Sequence, residues 1–495
     1  MNIKLNSFYT TLGGIIRLVL SLISLPIQVK LLGLETYGIF TVINSIIAIA
    51  CMFDFGIGIA QTYVVSSNLA KNDSTNAGKT LTSSLYLISV FSIVVSIILL
   101  LILKIFSKFL FPTLQNPSEV KKLFIFIVVI IILRCIQQWA LSAEAGLLRY
   151  DLQSLGETLF FTLLQVGIIL IAFINPSILI LLIWMFISLV FSLIFHFFLL
   201  RTVIISKKIT WKFSSKHAKE LVQFGIVQWV SNLGSTLFSY ADKIIVNLFG
   251  GPNIVGIYSA ITSLTQKINE LSALPLRVLP PNISSSKAIL QKDKILLIYS
   301  KATRLNGVLV FGLSSFLIFW ADRLAIFFVN KNIAEFSSML QLAAIIYGIY
   351  SLNAASFYTA IGIGKPIINA KWTLSGGILF ILLLIILAPS FGIVGAIWAN
   401  AGYILTLTIN YEVSKSLGIK LISYFKIFFP TIALLLSWLI FTYIFDWFMP
   451  ETLLIQIFIF IILEIVFLLF IAGRDLTKEI IGIPIHYLKR VKIIK

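Results

Sequence analysis

Charged side chains are scarce in this chain, since aspartate, glutamate, lysine and arginine together make up only 12% of its 495 residues. Soluble domains carry about 25% charged residues, so this composition excludes an ordinary water-soluble protein. Apolar residues account for 59% of the chain, and the mean hydropathy is +1.03. The sequence is therefore that of a membrane protein.

Cysteine, histidine and nucleotide-binding motifs are also nearly absent. The two cysteines, Cys51 and Cys135, fall in different predicted helices and do not indicate a disulfide framework. The three histidines show no metal-ligand spacing. No phosphate-binding loop of the G-x-x-x-x-G-K-[ST] type is present, because the nearest candidate ends at Pro366. We therefore expect no bound cofactor and no ATP hydrolysis, which leaves a proton or sodium gradient, or the substrate gradient, as the driving force.

Long apolar runs are what the sequence has instead. Windows of about 20 apolar residues predict an all-α polytopic protein of about fourteen transmembrane helices. They lie near residues 10–31, 38–64, 81–103, 123–147, 156–174, 177–200, 221–249, 254–280, 305–329, 336–361, 370–388, 391–412, 427–446 and 452–472. The first run lacks a signal-peptide cleavage pattern and is expected to stay as the first helix.

The lysines and arginines lie mostly on one predicted side of the membrane. The formal net charge is +19, and with a cytoplasmic N-terminus the inward segments hold 26 of the 38 lysines and arginines, against 6 in outward segments. This asymmetry predicts that both termini are cytoplasmic, and it argues for a membrane topology signal rather than nucleic-acid binding. The exception is the outward loop from Lys104 to Lys122, which carries four lysines.

Two sequence echoes predict an internal duplication. LLGLETYGIFTV at 31–42 returns as LFGGPNIVGIYSAI at 248–261, and Gly146–Gln153 aligns with Gly362–Asn369 at nearly the same offset. Six helices per repeat give both halves the same orientation, as in transporters with parallel repeats. The predicted organisation is an N-terminal bundle (1–200), a basic cytoplasmic linker (201–220), a C-terminal bundle (221–412), two appended helices (413–472) and a basic cytoplasmic tail (473–495).

Ionisable residues inside the predicted helices are the functional candidates, because each costs about 2.5–3.5 kcal/mol at the bilayer centre. The basic set is Arg17, Arg134, Lys243, Lys267, Arg277 and Arg323, and the acidic set is Asp54, Glu144, Asp242, Glu270, Asp322 and Glu464. In the first helix, Arg17 shares one polar face with Ser24 and Gln28 at helical spacing, so this face is predicted not to contact lipid.

A structural role stands beside the functional one for several of these charges. Asp54 is a candidate ion-pair partner of Arg17, and Lys267 has the i,i+3 spacing of an internal pair with Glu270. Arg134 has no obvious fixed partner in the sequence, which favours a functional role for it.

Several segments together resemble a known family. They are LLGLETYGIFTVINSI followed by MFDFGIGIA, then SYADKIIVNLFGGPNIVGIYSAITSL, and later GIGKPIINAKW with PSFGIVGAIWANAGY. The chain resembles the polysaccharide exporters of the multidrug/oligosaccharidyl-lipid/polysaccharide superfamily, specifically bacterial O-antigen unit flippases. The resemblance covers roughly residues 8–412. It implies a MATE-like fold of two six-helix bundles around a central cavity, in the bacterial cytoplasmic membrane.

The resemblance also implies a substrate and partners. These are an undecaprenyl-diphosphate-linked oligosaccharide, membrane lipid, and a polysaccharide polymerase with its chain-length regulator as pathway neighbours. A diphosphate needs deep cations, and arginine grips phosphate oxygens as a fork. We therefore expect Arg17, Arg134, Lys267, Arg277 and Lys243 to handle the diphosphate. We expect Asp54, Asp242 and Glu270 to act in gating or ion coupling.

Two alternatives remain at this point. An ion-coupled exporter of small molecules in the same superfamily would have the same fold. A membrane glycosyl polymerase or acyltransferase would need a long outer loop or a deep histidine, and most predicted outer loops have only a few residues.

Overall fold

The computed structural model describes residues 3–111, 117–207, 209–280, 283–284, 292–328 and 333–419, and all regular structure within these ranges is helical. The predicted all-α class is confirmed. The predicted helices 427–446 and 452–472, the basic tail and Glu464 lie outside the described residues. The helices are α1 (Ile3–Cys51), α2 (Ile57–Ala70), α3 (Ser74–Leu110), α4 (Pro117–Gly146), α5 (Tyr150–Ile174), α6 (Ile178–Ser206), α7 (Ser215–Ala273), α8 (Lys292–Phe319), α9 (Ala321–Phe328), α10 (Ile333–Ser351), α11 (Ala354–Gly362), α12 (Pro366–Ala399) and α13 (Thr408–Ser416), with short 3₁₀ helices at Met52–Asp54, Leu274–Val278 and Asn400–Leu407.

Nine segments of the described chain are long and apolar enough to cross a membrane. Three of them are long enough for two predicted spans each, namely Leu12–Asp54, Ser239–Val278 and Pro366–Ser416. Inside each, the helical backbone is interrupted at one glycine: Gly33, Gly251 or Gly392. The nine segments overlap the first twelve predicted spans, and the number of membrane crossings stays a prediction. A helix in lipid can turn at a glycine and continue without exposing many unpaired backbone groups.

The first sequence echo corresponds to one repeated backbone feature. Gly33 and Gly251, 218 residues apart, both have φ of 73°, a left-handed conformation that glycine adopts at little cost. A short way beyond each kink, a Cβ on Gly38 would meet the carbonyl of Pro252, and a Cβ on Gly256 would meet the carbonyl of Leu34. The two copies therefore contact each other reciprocally through backbone, which supports the predicted duplication.

The second echo corresponds to a repeated helix turn. The helix α4 ends at Gly146 and α5 begins at Tyr150, while α11 ends at Gly362 and α12 begins at Pro366. The starts of α5 and α12 are 216 residues apart, the offset of the sequence echo. Both turns pass through one left-handed residue, Leu148 in the first and Gly364 in the second.

The predicted second span, 38–64, is wrong as a single continuous helix. The chain leaves α1 through the 3₁₀ helix Met52–Asp54, passes two left-handed residues, Phe55 (φ 52°) and Gly56 (φ 70°), and starts again as α2. The carboxylate of Asp54 accepts a hydrogen bond from the Gly56 N–H at 2.9 Å, which satisfies a backbone donor ahead of the new helix. Hydropathy windows do not register such a turn because the residues around it remain apolar.

The chain divides into two compact units, Met1–Ala260 and Ile261–Lys495. In the first unit, α1 packs on α5, α4 packs on α3 and α6, and α2 packs on α3 and α4. In the second, α8 and α11 share an apolar core that includes the buried side chains Tyr299, Ala355 and Ile409. The predicted basic linker, 201–220, lies within the first unit, and its role as a boundary stays a prediction.

Candidate functional site

A cavity of about 550 Å³ opens in the first unit. Its wall contains polar side chains from α1, α4, α5 and α7 and from the 3₁₀ helix after α1. These side chains are Asn44, Asp54, Arg134, Gln138, Ser142, Gln165 and Tyr240. The volume falls in the usual range of small-molecule sites, about 300–1,000 Å³. Polar groups of this density inside an otherwise apolar bundle indicate a binding site rather than a packing defect.

Arg134 is the only cation in the wall of this cavity as the described residues define it. Its Nη1 donates a hydrogen bond to Gln137 Oε1, and its guanidinium lies 4.9 Å from the ring centre of Phe160. Gln137 is buried and donates in turn to Ser192 Oγ at 2.7 Å, which fixes the amide. Within the described chain Arg134 forms no ion pair, so its charge is held in place but not neutralised.

Asp54 contributes the carboxylate of the same wall. Its Oδ1 accepts from the Gly56 N–H at 2.9 Å, and its Oδ2 lies 3.5 Å from the Gly58 nitrogen at the start of α2. A carboxylate is stabilised at this position by the free N–H groups and the dipole of a helix N-terminus. The cavity wall therefore carries one guanidinium and one carboxyl group, each held in position by hydrogen bonds.

Arg17 lies outside this wall and is neutralised. Its Nη1 is 3.1 Å from Glu157 Oε2 and donates to Thr158 Oγ1 at 2.9 Å, both on α5. The predicted alternative that Arg17 pairs with Asp54 is wrong, because α1 packs its polar face on α5 and brings Glu157 within reach first. Ser24 and Gln28 on the same face are buried, and the absence of lipid contact along this face stays a prediction.

The polar contact between α1 and α5 continues up to the cavity. Ser24 Oγ donates to Gln165 Oε1 at 2.9 Å, and Gln28 Nε2 donates to the same oxygen. Gln165 also lines the cavity. The polar face of the first predicted helix thus reaches the cavity at one end only. It does not form the cavity wall along its whole length.

The remaining predicted site residues occupy two other places. In α7, Lys243 Nζ is 3.3 Å from Asp242 Oδ1, and Tyr258 donates to Asp242 Oδ2 at 3.1 Å. In the second unit, Lys267 Nζ is 2.7 Å from Glu270 Oε2, the spacing predicted for an internal pair. Arg277 lies exposed on the 3₁₀ helix Leu274–Val278. Of the eight predicted site residues, only Arg134 and Asp54 share the cavity.

Several residues of this region were missed by the sequence prediction. Glu157 was not counted among the charges within helices, although it stands one residue inside the predicted fifth span. Glu144 was among the acidic candidates, but its partner His196 was not predicted: the two form a fully buried pair, with Glu144 Oε1 2.8 Å from His196 Nδ1. Gln137 carries no charge, so nothing in its sequence position marked it as the residue that holds Arg134.

Comparison with known proteins gives the family. Residues 3–287 match the family model described as polysaccharide biosynthesis protein, which is more than half of the chain. A curated relative, an uncharacterized membrane protein of Methanocaldococcus jannaschii, is 25% identical over 187 residues, 37% of this chain. The chain spans 36% of the length of that relative.

Solved structures show the same fold at low sequence identity. The lipid II flippase MurJ in an inward closed conformation matches with a TM-score of 0.71 and 16% identity over 94% of this chain and 99% of MurJ. An inward-facing multidrug resistance MATE family transporter of the MOP superfamily matches with a TM-score of 0.67 and 14% identity over 82% of this chain and 98% of that one. A MOP superfamily transporter from Pyrococcus furiosus gives a TM-score of 0.57 at 14% identity, over 84% of this chain and 96% of that one. The multi-pass helical fold and the match to the family model agree, and the chain belongs to the polysaccharide biosynthesis protein family.

Proposed function

We propose that this protein is a flippase that moves undecaprenyl-diphosphate-linked oligosaccharide units, such as O-antigen units, from the inner to the outer leaflet of the bacterial cytoplasmic membrane. The family match and the fold shared with a lipid II flippase support the class of transport. In this proposal both termini are cytoplasmic, and the protein alternates between inward- and outward-open states. A polysaccharide polymerase and its chain-length regulator act on the delivered units.

The observation that carries the proposal is the state of Arg134. A diphosphate entering a bilayer needs a cation that stays charged and is not already paired, and arginine meets the first condition in any surroundings. Gln137 and Phe160 position the guanidinium without cancelling its charge. Arginine can then form paired, charge-assisted hydrogen bonds with phosphate oxygens.

The rest of the cavity wall suits the sugar nearest the diphosphate. The side-chain amides of Asn44, Gln138 and Gln165 and the hydroxyl of Ser142 can exchange hydrogen bonds with sugar hydroxyls. A cavity of about 550 Å³ matches a small-molecule site, so it takes the diphosphate and its adjoining sugar rather than a whole oligosaccharide. In this proposal the lipid tail remains in the bilayer throughout.

The paired charges have a second role in the proposal. Lys243 with Asp242 and Lys267 with Glu270 are partners that can separate and re-form as the protein changes state. In this proposal Arg277 contacts the diphosphate along its path, whereas Arg17 stays paired with Glu157. Asp54, beside the anion site, is the acid best placed to bind a coupling proton or sodium ion as the diphosphate leaves.

The test is the location of the lipid-linked oligosaccharide after the protein is depleted from its host. Lectin or glycosidase access is compared in intact and lysed spheroplasts, with complementation by wild type, Arg134→Gln and Arg149→Gln. Arg149 is the matched control, because it is an arginine in the turn between α4 and α5. Its guanidinium is hydrogen-bonded to Asp151, which raises its pKa.

We expect material that is accessible only after lysis in depleted cells and in the Arg134→Gln strain, and normal export with Arg149→Gln. Material accessible without lysis in depleted cells would place the defect after translocation, and would favour a glycosyl polymerase instead.

Export of a small molecule is the second candidate function. The size of the cavity and the presence of both an arginine and a carboxyl group in its wall would also suit a zwitterionic compound, and the fold is shared with a multidrug resistance transporter. A depleted strain that becomes sensitive to toxic compounds while its lipid-linked oligosaccharide reaches the outer leaflet would support this function over the flippase.

A further inference from the structure

Sulfur is concentrated in the wall of the polar cavity. The chain has five methionines and two cysteines, and four of these seven side chains line the cavity: Cys51, Met52, Cys135 and Met185. The cavity is lined by only 19 residues of the 495. Cysteine and methionine fill apolar gaps well, so their number alone is compatible with packing. The positions of the two thiols indicate a role in addition to packing.

The only two cysteines of the chain are in contact. Cys51 ends α1 and Cys135 lies in α4, 84 residues further on, yet their Sγ atoms are 3.6 Å apart and both thiols are free. A buried residue touches about 6–12 others, so a second cysteine placed at random in this chain would be a neighbour in roughly 2% of cases. Both side chains also reach the cavity, where a small solute can approach them.

The separation of the two sulfur atoms is a few tenths of an ångström short of joint coordination of one metal ion, a difference that a small side-chain rotation closes. Metal–sulfur bonds are about 2.3 Å long, and two such bonds at tetrahedral to trigonal angles place the sulfur atoms about 3.8–4.0 Å apart. Thiolate and thioether ligands select soft ions over the hard ions that prefer oxygen.

We propose that Cys51 and Cys135 form a binding site for a soft, thiophilic cation of the Cu⁺ or Ag⁺ type. The thioethers of Met52 and Met185, in the same wall, are available as further ligands. Binding of one monovalent ion replaces the two thiol protons, which are released, and leaves a complex with one net negative charge. Arg134 precedes Cys135 and lies in the same wall, so it compensates that charge. The site does not depend on the proposed flippase function.

The test is a titration of the reduced, purified full-length protein with Ag⁺, followed by native mass spectrometry. We expect one ion per chain, and we expect Cys51→Ser and Cys135→Ser each to weaken binding by more than about 100-fold, since even second-shell changes cost 10–100-fold. Met185→Leu should weaken binding less. Met339→Leu is the matched control, because Met339 is buried in the second unit and should leave binding unchanged. Equal binding by wild type and the Cys51→Ser/Cys135→Ser variant would overturn the proposal.

A second measurement avoids substitutions altogether. Wild-type protein is alkylated with N-ethylmaleimide with and without one equivalent of Ag⁺, and modification of each cysteine is quantified by peptide mass spectrometry. The proposal predicts that Ag⁺ protects both cysteines to the same extent. Protection of one cysteine alone, or of neither, would contradict a shared site.

Discussion

Two regions of the first unit each hold an arginine within the predicted membrane helices, and the two arginines have different neighbours. Arg17 has a carboxylate partner, Glu157, and the side chains of the pair keep 22% and 43% of their exposure. Arg134 has an amide and an aromatic ring as neighbours and faces a cavity. The comparison teaches that an arginine in a membrane helix is a ligand-binding candidate when its neighbours fix its position without neutralising it.

Arg134→Gln should have the largest effect on transport. It removes a charge-assisted hydrogen-bond donor to the diphosphate, worth about 1.5–3 kcal/mol, so surface-polysaccharide export should fall about 10- to 100-fold. Export is measured in a host that carries the variant as its only copy. Membrane insertion and the elution volume of the purified variant should match wild type. Undiminished export from a normally inserted variant would remove Arg134 from the proposed site.

Arg134→Lys should have a smaller effect in the same assay. Lysine keeps the positive charge but loses the planar fork and the stacking on Phe160, so export should fall about two- to tenfold. A loss as large as that of Arg134→Gln would show that geometry, rather than charge, is what the site requires.

Gln137→Met tests the positioning of Arg134 without touching its charge. Gln137 is buried and bonds both Arg134 and Ser192, so the variant should lower export severalfold and cost about 1–3 kcal/mol of stability. The diagnostic readout is a double-mutant cycle with Arg134→Gln. If Gln137 acts through Arg134, the double variant exports no less than Arg134→Gln alone. Additive losses would assign Gln137 an independent role.

Arg17→Gln should have the smallest effect. A partly exposed ion pair contributes about 0–1 kcal/mol, so export and stability should stay close to wild type. Any small loss should be reversed by adding Glu157→Gln, which removes the unpaired acid. A loss of export that matches Arg134→Gln would abolish the distinction between the two arginines and restore Arg17 to the diphosphate path.

Much of the fold could be predicted from the sequence, because long apolar runs mark the membrane helices. The two echoes are reproduced as matching kinks at Gly33 and Gly251 and as matching turns before Tyr150 and Pro366. What hydropathy misses is the break at Met52–Gly56, since it depends on one carboxylate and two left-handed residues among apolar neighbours. The count of fourteen helices stays a prediction.

The site was less accessible to sequence reasoning than the fold. Arg134 and Asp54 were both predicted as site residues, because a charge in an apolar run is conspicuous. The partner of Arg17 was not, since several carboxylates were available and only the packing of α1 on α5 selects Glu157. The contact between Cys51 and Cys135 joins α1 to α4 and has no signature in either helix alone.

The most direct test of the central claim is the binding of undecaprenyl diphosphate, without sugars, to the purified protein in nanodiscs. Wild type, Arg134→Gln and Arg17→Gln are compared by photo-crosslinking competition at one lipid composition. The account predicts that Arg134→Gln weakens binding at least about tenfold while Arg17→Gln binds like wild type. Equal binding by all three proteins would contradict the assignment of the diphosphate to the cavity that contains Arg134.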